Sequence, residues 1–339
     1  MRKFRLLLLV STLMLWAFPM FMVAGAADDT DFEIVLVAKL EGVAWFDNMR
    51  LGVEEFAKET GVNAYQIAAA TADPASQVAL IEDLIAKKVD AIIVVPNDPV
   101  ALEPVFKKAN DAGIITLTHE SSNQKQVSFD VEAFDNEAYG RHMMDVMAAD
   151  MNYEGEYACF VGHLTSPTHN EWVDAEIAQQ KEKYPNMKLV TDRLEEQENQ
   201  QIAYEKTLEL LRTYPNLKGI MGSAMSTVPG AALAIEEMGR IGKCAAYGTC
   251  LPSVAYDYLK NGSARSIHFW VPADAGYVSC RVAWEILKGN EIKEGMDLGK
   301  PGYDNITIRE NQFGIPVIYG QAWHDVTAEN VDEWVERGL

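Results

Sequence analysis

Residues 32–61 read FEIVLVAKLEGVAWFDNMRLGVEEFAKETG and predict a buried strand, a short loop and an amphipathic helix. The strand is indicated by the apolar run at 34–38. The helix is indicated by apolar residues at three- and four-residue spacing, which are Met49, Val53, Phe56 and Ala57. Ligands of open parallel sheets bind beyond the carboxyl ends of the strands, where this loop lies. The loop side chains expected to face a ligand are Lys39, Glu41, Trp45 and Phe46. Aromatic faces beside charged groups suit a sugar, which has an apolar C–H face and polar hydroxyls.

The same strand and helix unit repeats along the chain. Further strands are predicted at 63–67, 90–95, 114–117, 157–161, 188–194, 219–222, 244–248 and 264–270, with helices between them. Strands that alternate with helices of this length indicate parallel βαβ units. The predicted fold class is therefore α/β, with two similar open parallel-sheet lobes.

The tail of the chain is expected to complete the first lobe and then return to the second. We predict crossings between the lobes near 130–135, 270–272 and 313–316, and such a multi-crossing connection forms a hinge that a ligand closes. The predicted first lobe comprises residues 27–133 and 272–314. The predicted second lobe comprises residues 134–271 and 315–339.

The N-terminus has the pattern of an export signal. Three basic residues precede an apolar run at 6–23, which ends in Ala24-Gly25-Ala26. We interpret residues 1–26 as a cleaved signal peptide, although a run of this length also fits a membrane anchor. No cysteine near the cleavage point offers a site for a lipid, so the expected location is the periplasm.

The charge balance excludes several partners. Residues 1–26 hold three of the 29 basic residues and none of the 50 acids, so their removal leaves 26 basic residues against 50 acidic ones. Such an acidic chain repels nucleic acid and anionic lipid. We expect a soluble monomer with no nucleic-acid partner.

The four cysteines do not predict a bridge or a metal site. Cys244 and Cys250 flank a predicted strand, and an extended strand of that length holds their Cα atoms roughly 20 Å apart, too far for a disulfide. Cys159 and Cys280 fall in apolar segments and are interpreted as buried residues.

Several motifs together resemble a known family. They are Lys39-Leu40-x-Gly42-Val43-x-x-Phe46, Ser76-Gln77-Val78-x-Leu80-Ile81, Asp90-Ala91-Ile92-Ile93-Val94, Asn170-x-Trp172 and Val228-Pro229-x-Ala231-Ala232. Over most of the chain, the sequence resembles the sugar-binding periplasmic solute-binding proteins of ABC importers, including those for ribose, rhamnose and autoinducer-2. The motifs are most similar to the autoinducer-2-binding branch. The resemblance implies a membrane permease with its ATPase as partners.

The resemblance also assigns roles to individual positions. Lys39 matches the ligand-binding lysine of the autoinducer-2 branch, and Glu120 stands at the position of its first-lobe aspartate. In the second lobe the match breaks at four places. Thr168-His169 replaces an Asp-Gln pair, Ser223 and Met225 replace Pro and Ala contacts, and Val271 replaces an aspartate. Fewer carboxylates leave fewer charge-assisted acceptors for a furanosyl diol, so a small sugar, deoxy-sugar or polyol is the leading ligand. Autoinducer-2 is the alternative.

The candidate ligand-binding residues are Lys39, Trp45, Phe46, His119, Glu120, Thr168, His169, Ser223, Met225 and Trp270. His169 matches a sugar-binding arginine of the ribose branch but could also cap a helix that starts near Asn170. Trp172 fits the core as well as the site. Asn97 and Asp98 lie in a Pro-Asn-Asp-Pro run that is also ordinary turn chemistry.

Enzyme functions lack their motifs. The loop after the first strand has a single glycine where G-x-G-x-x-G requires three, and no G-x-S-x-G is present. His163 and His169 have no obvious third zinc ligand. We therefore predict a binding protein without catalytic residues, cofactor or metal, which acts in transport or presents its closed form to a chemoreceptor or sensor kinase.

Overall fold

The computed structural model describes residues 30–339. The predicted signal peptide lies outside the described residues. The first lobe begins with three βα units and two further strands, which are β1 (Glu33–Ala38), α1 (Ala44–Thr60), β2 (Asn63–Ala68), α2 (Pro74–Lys87), β3 (Ala91–Val94), α3 (Pro99–Asp111), β4 (Ile115–His119) and β5 (Phe129–Glu132). β1 is buried along nearly its whole length because helices cover both faces of the sheet, as its continuous apolar sequence requires.

The chain then enters the second lobe. Its elements are α4 (Asn136–Asp150), β6 (Gly155–Val161), α5 (Pro167–Lys183), β7 (Met187–Leu189), β8 (Leu194–Glu195), α6 (Gln200–Thr213), β9 (Leu217–Gly222), α7 (Thr227–Glu237), β10 (Ala245–Thr249), α8 (Pro252–Asn261) and β11 (Ala264–Phe269). The tail contributes α9 (Pro272–Leu287), β12 (Thr307–Glu310), β13 (Pro316–Tyr319), β14 (His324–Val326) and α10 (Val331–Glu336).

Two sheets result from these strands. One has the order β12-β13-β5-β4-β3-β1-β2, and the other has the order β14-β11-β10-β9-β6-β7, with β8 beside β6. All pairs are parallel except β12 with β13 and β14 with β11. The prediction of two open parallel-sheet lobes is confirmed.

The third crossing lies later than the sequence indicated. We expected the return to the second lobe near 313–316, but β13 pairs in parallel with β5 and antiparallel with β12 in the first sheet. The segment that leads to the second sheet is therefore 320–323, before β14. The error arose because a short apolar strand carries no signal for the sheet that it joins. The domain boundary set at 314/315 is corrected accordingly.

The four cysteines are free and buried, as expected for Cys244 and Cys250 at the two ends of β10. No helix within residues 30–339 has both the length and the apolar composition that crossing a bilayer requires.

The tail helix α9 packs tightly against α1 in the first lobe. A Cβ built on Gly52 of α1 would lie 1.7 Å from the backbone oxygen of Ala273, so only glycine permits this approach. We expect Gly52→Ala to lower the free energy of unfolding by about 1–3 kcal/mol, despite the better helix propensity of alanine, because the backbones of α1 and α9 must move apart to admit the new Cβ. Urea unfolding measures this free energy. Leu51→Ala, at a neighbouring exposed position, is the control and should change stability by less than about 0.5 kcal/mol; equal effects would contradict the packing argument.

Candidate functional site

A narrow cavity of about 30 Å³ lies between the lobes at the carboxyl ends of both sheets. The residues that line it are Lys39, Val43, Trp45, Phe46, Glu120, His169, Glu198, Ser223, Ala224, Met225, Thr249 and Trp270. They come from the loops and helix starts that follow β1, β4, β6, β8, β9 and β11 and from the last residue of β10, which is where an open α/β sheet places a ligand. Eight of the ten sequence candidates are brought together here.

Lys39 is the central charge of the cavity. Its Nζ lies 2.9 Å from Glu120 Oε2, on the same lobe, and 3.5 Å from Glu198 Oε1, which the second lobe contributes. Burial alone lowers the pKa of Lys39, but the two carboxylates outweigh burial and hold this pKa above its usual value. The ammonium is therefore charged at neutral pH and joins the lobes.

Glu120 adopts an uncommon backbone conformation. It follows the last residue of β4 with φ of 61°, in the left-handed region that residues with a side chain seldom occupy. The side chain is 4% exposed and its carboxylate meets Lys39. Such strain is frequent at functional sites, where surrounding contacts enforce it.

His169 is neutral and its tautomer follows from its contacts. The backbone N–H of Gly162 donates to Nδ1 at 3.2 Å, so the ring proton of the neutral form is on Nε2. Burial, together with the charge of Lys39, lowers the pKa of His169 well below its usual value. The ring receives a hydrogen bond from outside α5 rather than capping that helix, which leaves Nε2–H as a donor for a ligand oxygen.

Two tryptophans form the apolar wall of the cavity. The rings of Trp45 and Trp270 meet edge to face with centroids 4.6 Å apart, and the side chain of Phe46 lies beside them. Trp45 and Phe46 belong to the first turn of α1 and are also mostly buried there, so they both pack beneath the helix and line the cavity. The indole Nε1–H of Trp270 is buried and donates to no acceptor within the described residues. This donor is available to a ligand.

Glu198 lines the cavity but was not among the sequence candidates. It follows the two-residue strand β8 within a polar stretch that has no periodicity, and its φ is 54°. Its Oε1 is buried and accepts no hydrogen bond from residues 30–339. A Cβ on Gly162 would lie 2.4 Å from this oxygen, so the glycine makes room for the carboxylate. Gly162, in the loop after β6, is the sequence feature that could have indicated a side chain packed closely at this point.

The remaining lining residues are small or apolar. Ser223 donates from Oγ to the backbone oxygen of His169 at 3.3 Å, which supports the start of α5. Met225 is partly buried against the core, and Thr249 meets the hydroxyl of Tyr139 at 3.1 Å. Val43, Ala224 and Thr249 were not among the sequence candidates.

Two candidates do not line the cavity. The Nδ1 of His119 lies 2.6 Å from the backbone oxygen of Val131, and its ring is buried beside Trp270. Thr168 donates from Oγ1 to Glu132 at 3.1 Å, beneath the hinge. Each neighbours a residue that does line the cavity, and adjacent residues point in different directions in strands and in helices. His119 and Thr168 therefore do not line the cavity, and their assignment as ligand-binding residues stays a prediction that the geometry does not support.

Four further residues that the sequence singled out lie outside the cavity. Glu41 was expected to face the ligand, but it is exposed and pairs with Arg50 at 2.6 Å, so it lies outside the cavity. Asp98 caps α3 by accepting hydrogen bonds from two backbone N–H groups, so it has the structural role that a Pro-Asn-Asp-Pro turn suggests. Asn97 donates to the backbone oxygen of Lys39 at 3.1 Å and so supports that loop. Trp172 is in the core, where Nε1–H donates to Asn136 at 2.8 Å.

Residues 34–291 match the family described as periplasmic binding protein domain. A D-ribose/D-allose-binding protein of Pseudomonas aeruginosa is 24% identical over 281 residues, which cover 78% of this chain and 85% of the relative.

Two solved structures show the same fold. LsrB from Clostridium saccharobutylicum in complex with AI-2 has a TM-score of 0.82 at 21% identity, covering 89% of this chain and 99% of that one. An ABC transporter solute binding protein from Clostridium phytofermentas with bound L-rhamnose has a TM-score of 0.83 at 20% identity, covering 91% and 99%. At identities this low, the similarity shows that the fold is shared and does not show that the ligand is shared.

Proposed function

The chain belongs to the periplasmic binding protein family, and we propose that it is the solute-binding component of an ABC importer. It captures a small sugar, deoxy-sugar or polyol between its lobes and delivers it to a membrane permease that is driven by an ATPase. The name of the ribose- and allose-binding relative supports the ligand class. The observation that carries the proposal is the interlobe cavity, where two buried carboxylates and an indole N–H that has no acceptor within residues 30–339 stand beside two tryptophan rings.

The electrostatics of the cavity favour a neutral ligand. The one ammonium, on Lys39, is already shared by Glu120 and Glu198, and His169 is uncharged. An anionic ligand would meet two carboxylates without a free cation. Hydroxyl groups instead donate to the carboxylates and accept from the Nε–H groups of His169 and Trp270, while ring C–H groups contact the indoles.

Closure follows from the division of these groups between the lobes. Lys39, Trp45 and Glu120 belong to the first lobe, and His169 and Glu198 belong to the second. A sugar that contacts both sets binds the closed form more tightly than the open one and shifts the population towards it. The permease then recognises the closed outer surface.

Autoinducer-2 is the second candidate ligand. The ion pair of Lys39 with Glu120 supports it, because these positions match that branch, and so does the fold shared with LsrB. Against it, Thr168 lies outside the cavity and the named sequence relative binds D-ribose and D-allose. We therefore place neutral monosaccharides first.

The site of action we propose is the periplasm. Family membership and the export pattern of residues 1–26 both support it. The excess of acidic residues keeps such a protein dispersed and away from anionic lipid.

A thermal-shift screen tests the function. Pentoses, hexoses, deoxy-sugars, polyols and autoinducer-2 are added separately, and a true ligand raises the melting temperature in proportion to the logarithm of its concentration. We expect one or a few monosaccharides to do so, with affinity confirmed by calorimetry. A response to autoinducer-2 alone would favour the second candidate. No response to any of them would overturn the proposal.

Replacing the unpartnered indole tests the site. Trp270→Phe keeps an aromatic ring but removes the Nε1–H donor, so we expect sugar affinity to fall by about three- to tenfold, the range of one neutral hydrogen bond. Trp172→Phe is the matched control, because that Nε1–H donates to Asn136 rather than into the cavity. Calorimetry measures both. Unchanged affinity in Trp270→Phe would remove this residue from the site.

A further inference from the structure

A second cluster of ligating side chains lies in the second lobe, away from the cavity. It consists of His142 on α4, His268 on β11 and Asp325 on β14, and we call it the His142 cluster. One ligand atom from each residue lies within 4.8 Å of the other two, and this is the one group of this kind found within residues 30–339. Spacing in sequence could not indicate it, because the three residues lie far apart along the chain.

The carboxylate of Asp325 stands between the two imidazoles. His142 Nε2 lies 2.9 Å from Oδ1 and 2.8 Å from Oδ2, and His268 Nδ1 lies 2.7 Å from Oδ1. The carboxylate therefore holds all three ligand atoms within 4.8 Å of one another. Two imidazole nitrogens and one carboxylate oxygen form a ligand set that suits zinc.

The surroundings orient the ligands. The other nitrogen of His268, Nε2, lies 3.4 Å from the hydroxyl of Ser266, and a ligating histidine usually has such a partner on its second nitrogen. The ring of Trp323 stacks on that of His142 with centroids 5.7 Å apart. The amide of Asn330 donates to the backbone oxygen of Asp325 at 3.0 Å and holds the start of the following turn.

Access to the cluster is open on one side. His268 is fully buried, whereas the side chains of His142 and Asp325 are 31% and 44% exposed. An ion can enter from solvent, and water can complete its coordination on that side. Inserting a metal requires ligand atoms about 3.3 Å apart for bonds of about 2.0 Å in tetrahedral geometry, so the carboxylate oxygen must withdraw by about half an ångström from each nitrogen. The two nitrogens, which lie within 4.8 Å of each other, must then adjust to the same spacing. The two exposed side chains can make this movement.

We propose that the His142 cluster is a zinc site. The ion is held by Nε2 of His142, Nδ1 of His268 and an oxygen of Asp325, with water in the remaining position. Each nitrogen offers the ion a lone pair, so a neutral ring carries its proton on its other nitrogen, and a ring that was protonated releases one proton to solvent. The proposal does not depend on the identity of the sugar.

Zinc at this position would join segments beside all three hinge crossings. α4 follows the first crossing, β11 precedes the second and β14 follows the third. β14 pairs with β11 through only three residues, so metal binding would add a firm link between this edge strand and the rest of the lobe. We expect zinc to raise the melting temperature of the protein without sugar.

The test uses purified protein without a histidine tag, freed of metal with EDTA and titrated with Zn²⁺ by calorimetry. We expect one saturable site that takes one zinc ion per chain. His142→Ala and Asp325→Asn should each lower zinc affinity by at least tenfold. His163→Ala is the control, because this histidine faces only one carboxylate, that of Glu195 at 3.6 Å, and should leave affinity unchanged.

A second measurement guards against misfolded variants. Cu²⁺ bound at the cluster should quench the fluorescence of Trp323 and give an electron paramagnetic resonance spectrum with coupling to two nitrogens. Both signals should disappear in Asp325→Asn while the sugar-induced thermal shift persists. Absence of saturable zinc binding, or binding that survives both ligand substitutions, would overturn the proposal and leave the proposed transport function untouched.

Discussion

Replacing Lys39 with methionine should lower sugar affinity by at least about 100-fold. The ammonium is buried between the carboxylates of Glu120 and Glu198, and its loss leaves two buried acids to repel each other in the closed form. Breaking a buried ion pair from one side costs about 3–5 kcal/mol. A factor of ten in affinity corresponds to about 1.4 kcal/mol, so a loss of two to three orders of magnitude follows if most of this cost falls on closure. Calorimetry with the sugar found in the screen measures it.

Two variants separate this explanation from a general loss of stability. Lys39→Met combined with Glu120→Gln removes one of the two uncompensated carboxylates as well and should recover part of the affinity. Arg50→Met breaks the exposed pair with Glu41 at 2.6 Å and should change affinity by less than about twofold, because surface ion pairs contribute little. Affinity within threefold of wild type in Lys39→Met would show that the ammonium does not hold the lobes together around the ligand.

The sequence indicated the lobes and the edge where the cavity lies because both depend on local patterns. Apolar runs and helical spacing mark each βα unit, and residues just after a strand reach the same edge of a parallel sheet. Lys39, Glu120 and Trp270 were found in this way. The family resemblance added Ser223 and Met225, which no periodicity would have indicated.

The parts that escaped prediction depend on tertiary structure. Glu198 enters the cavity from an irregular turn, and its partner Lys39 is 159 positions away, on the other lobe. The His142 cluster likewise requires α4, β11 and β14 to be packed together. A four-residue apolar segment such as β13 does not specify which of the two sheets it joins, so its pairing with β5 could not be predicted from the sequence.

The acids beneath the hinge also escaped notice, because they alternate with other residues in β5. Asp130 accepts from Thr118 Oγ1 at 2.7 Å and from the backbone N–H of Ser121 at 3.2 Å. Its charged neighbours are Glu132, on the same strand, and Glu171 on α5. Burial, with the charge of Glu171 adding to it, raises the pKa of Asp130 to about 7, and burial raises the pKa of Glu132 well above its usual value.

We therefore expect Asp130→Asn to stabilise the protein at pH 8 but not at pH 4. Between about pH 4 and pH 7 the folded state keeps a proton on Asp130 that the unfolded chain has lost, so the wild type loses stability as pH rises through this window. The slope for one proton is about 1.4 kcal/mol per pH unit. Asparagine retains the oxygen that Thr118 contacts and carries no charge, so its advantage should grow with pH and level off above about pH 7. Urea unfolding at pH 4, 6 and 8 measures the difference.

The matched control is Asp111→Asn, at an exposed position whose carboxylate pairs with Lys107 at 2.7 Å. Its effect should stay within about 0.5 kcal/mol at every pH, because exposed pairs contribute little. A stability difference for Asp130→Asn that does not change between pH 4 and pH 8 would mean that Asp130 titrates alike in the folded and unfolded states. The buried acids would then have no part in the pH response.

If the difference does grow, sugar affinity measured at pH 5 and pH 8 shows whether the same protons affect closure of the lobes. Such an effect is expected because the carboxylate of Glu171 accepts from Ser122 on the opposite lobe at 2.5 Å.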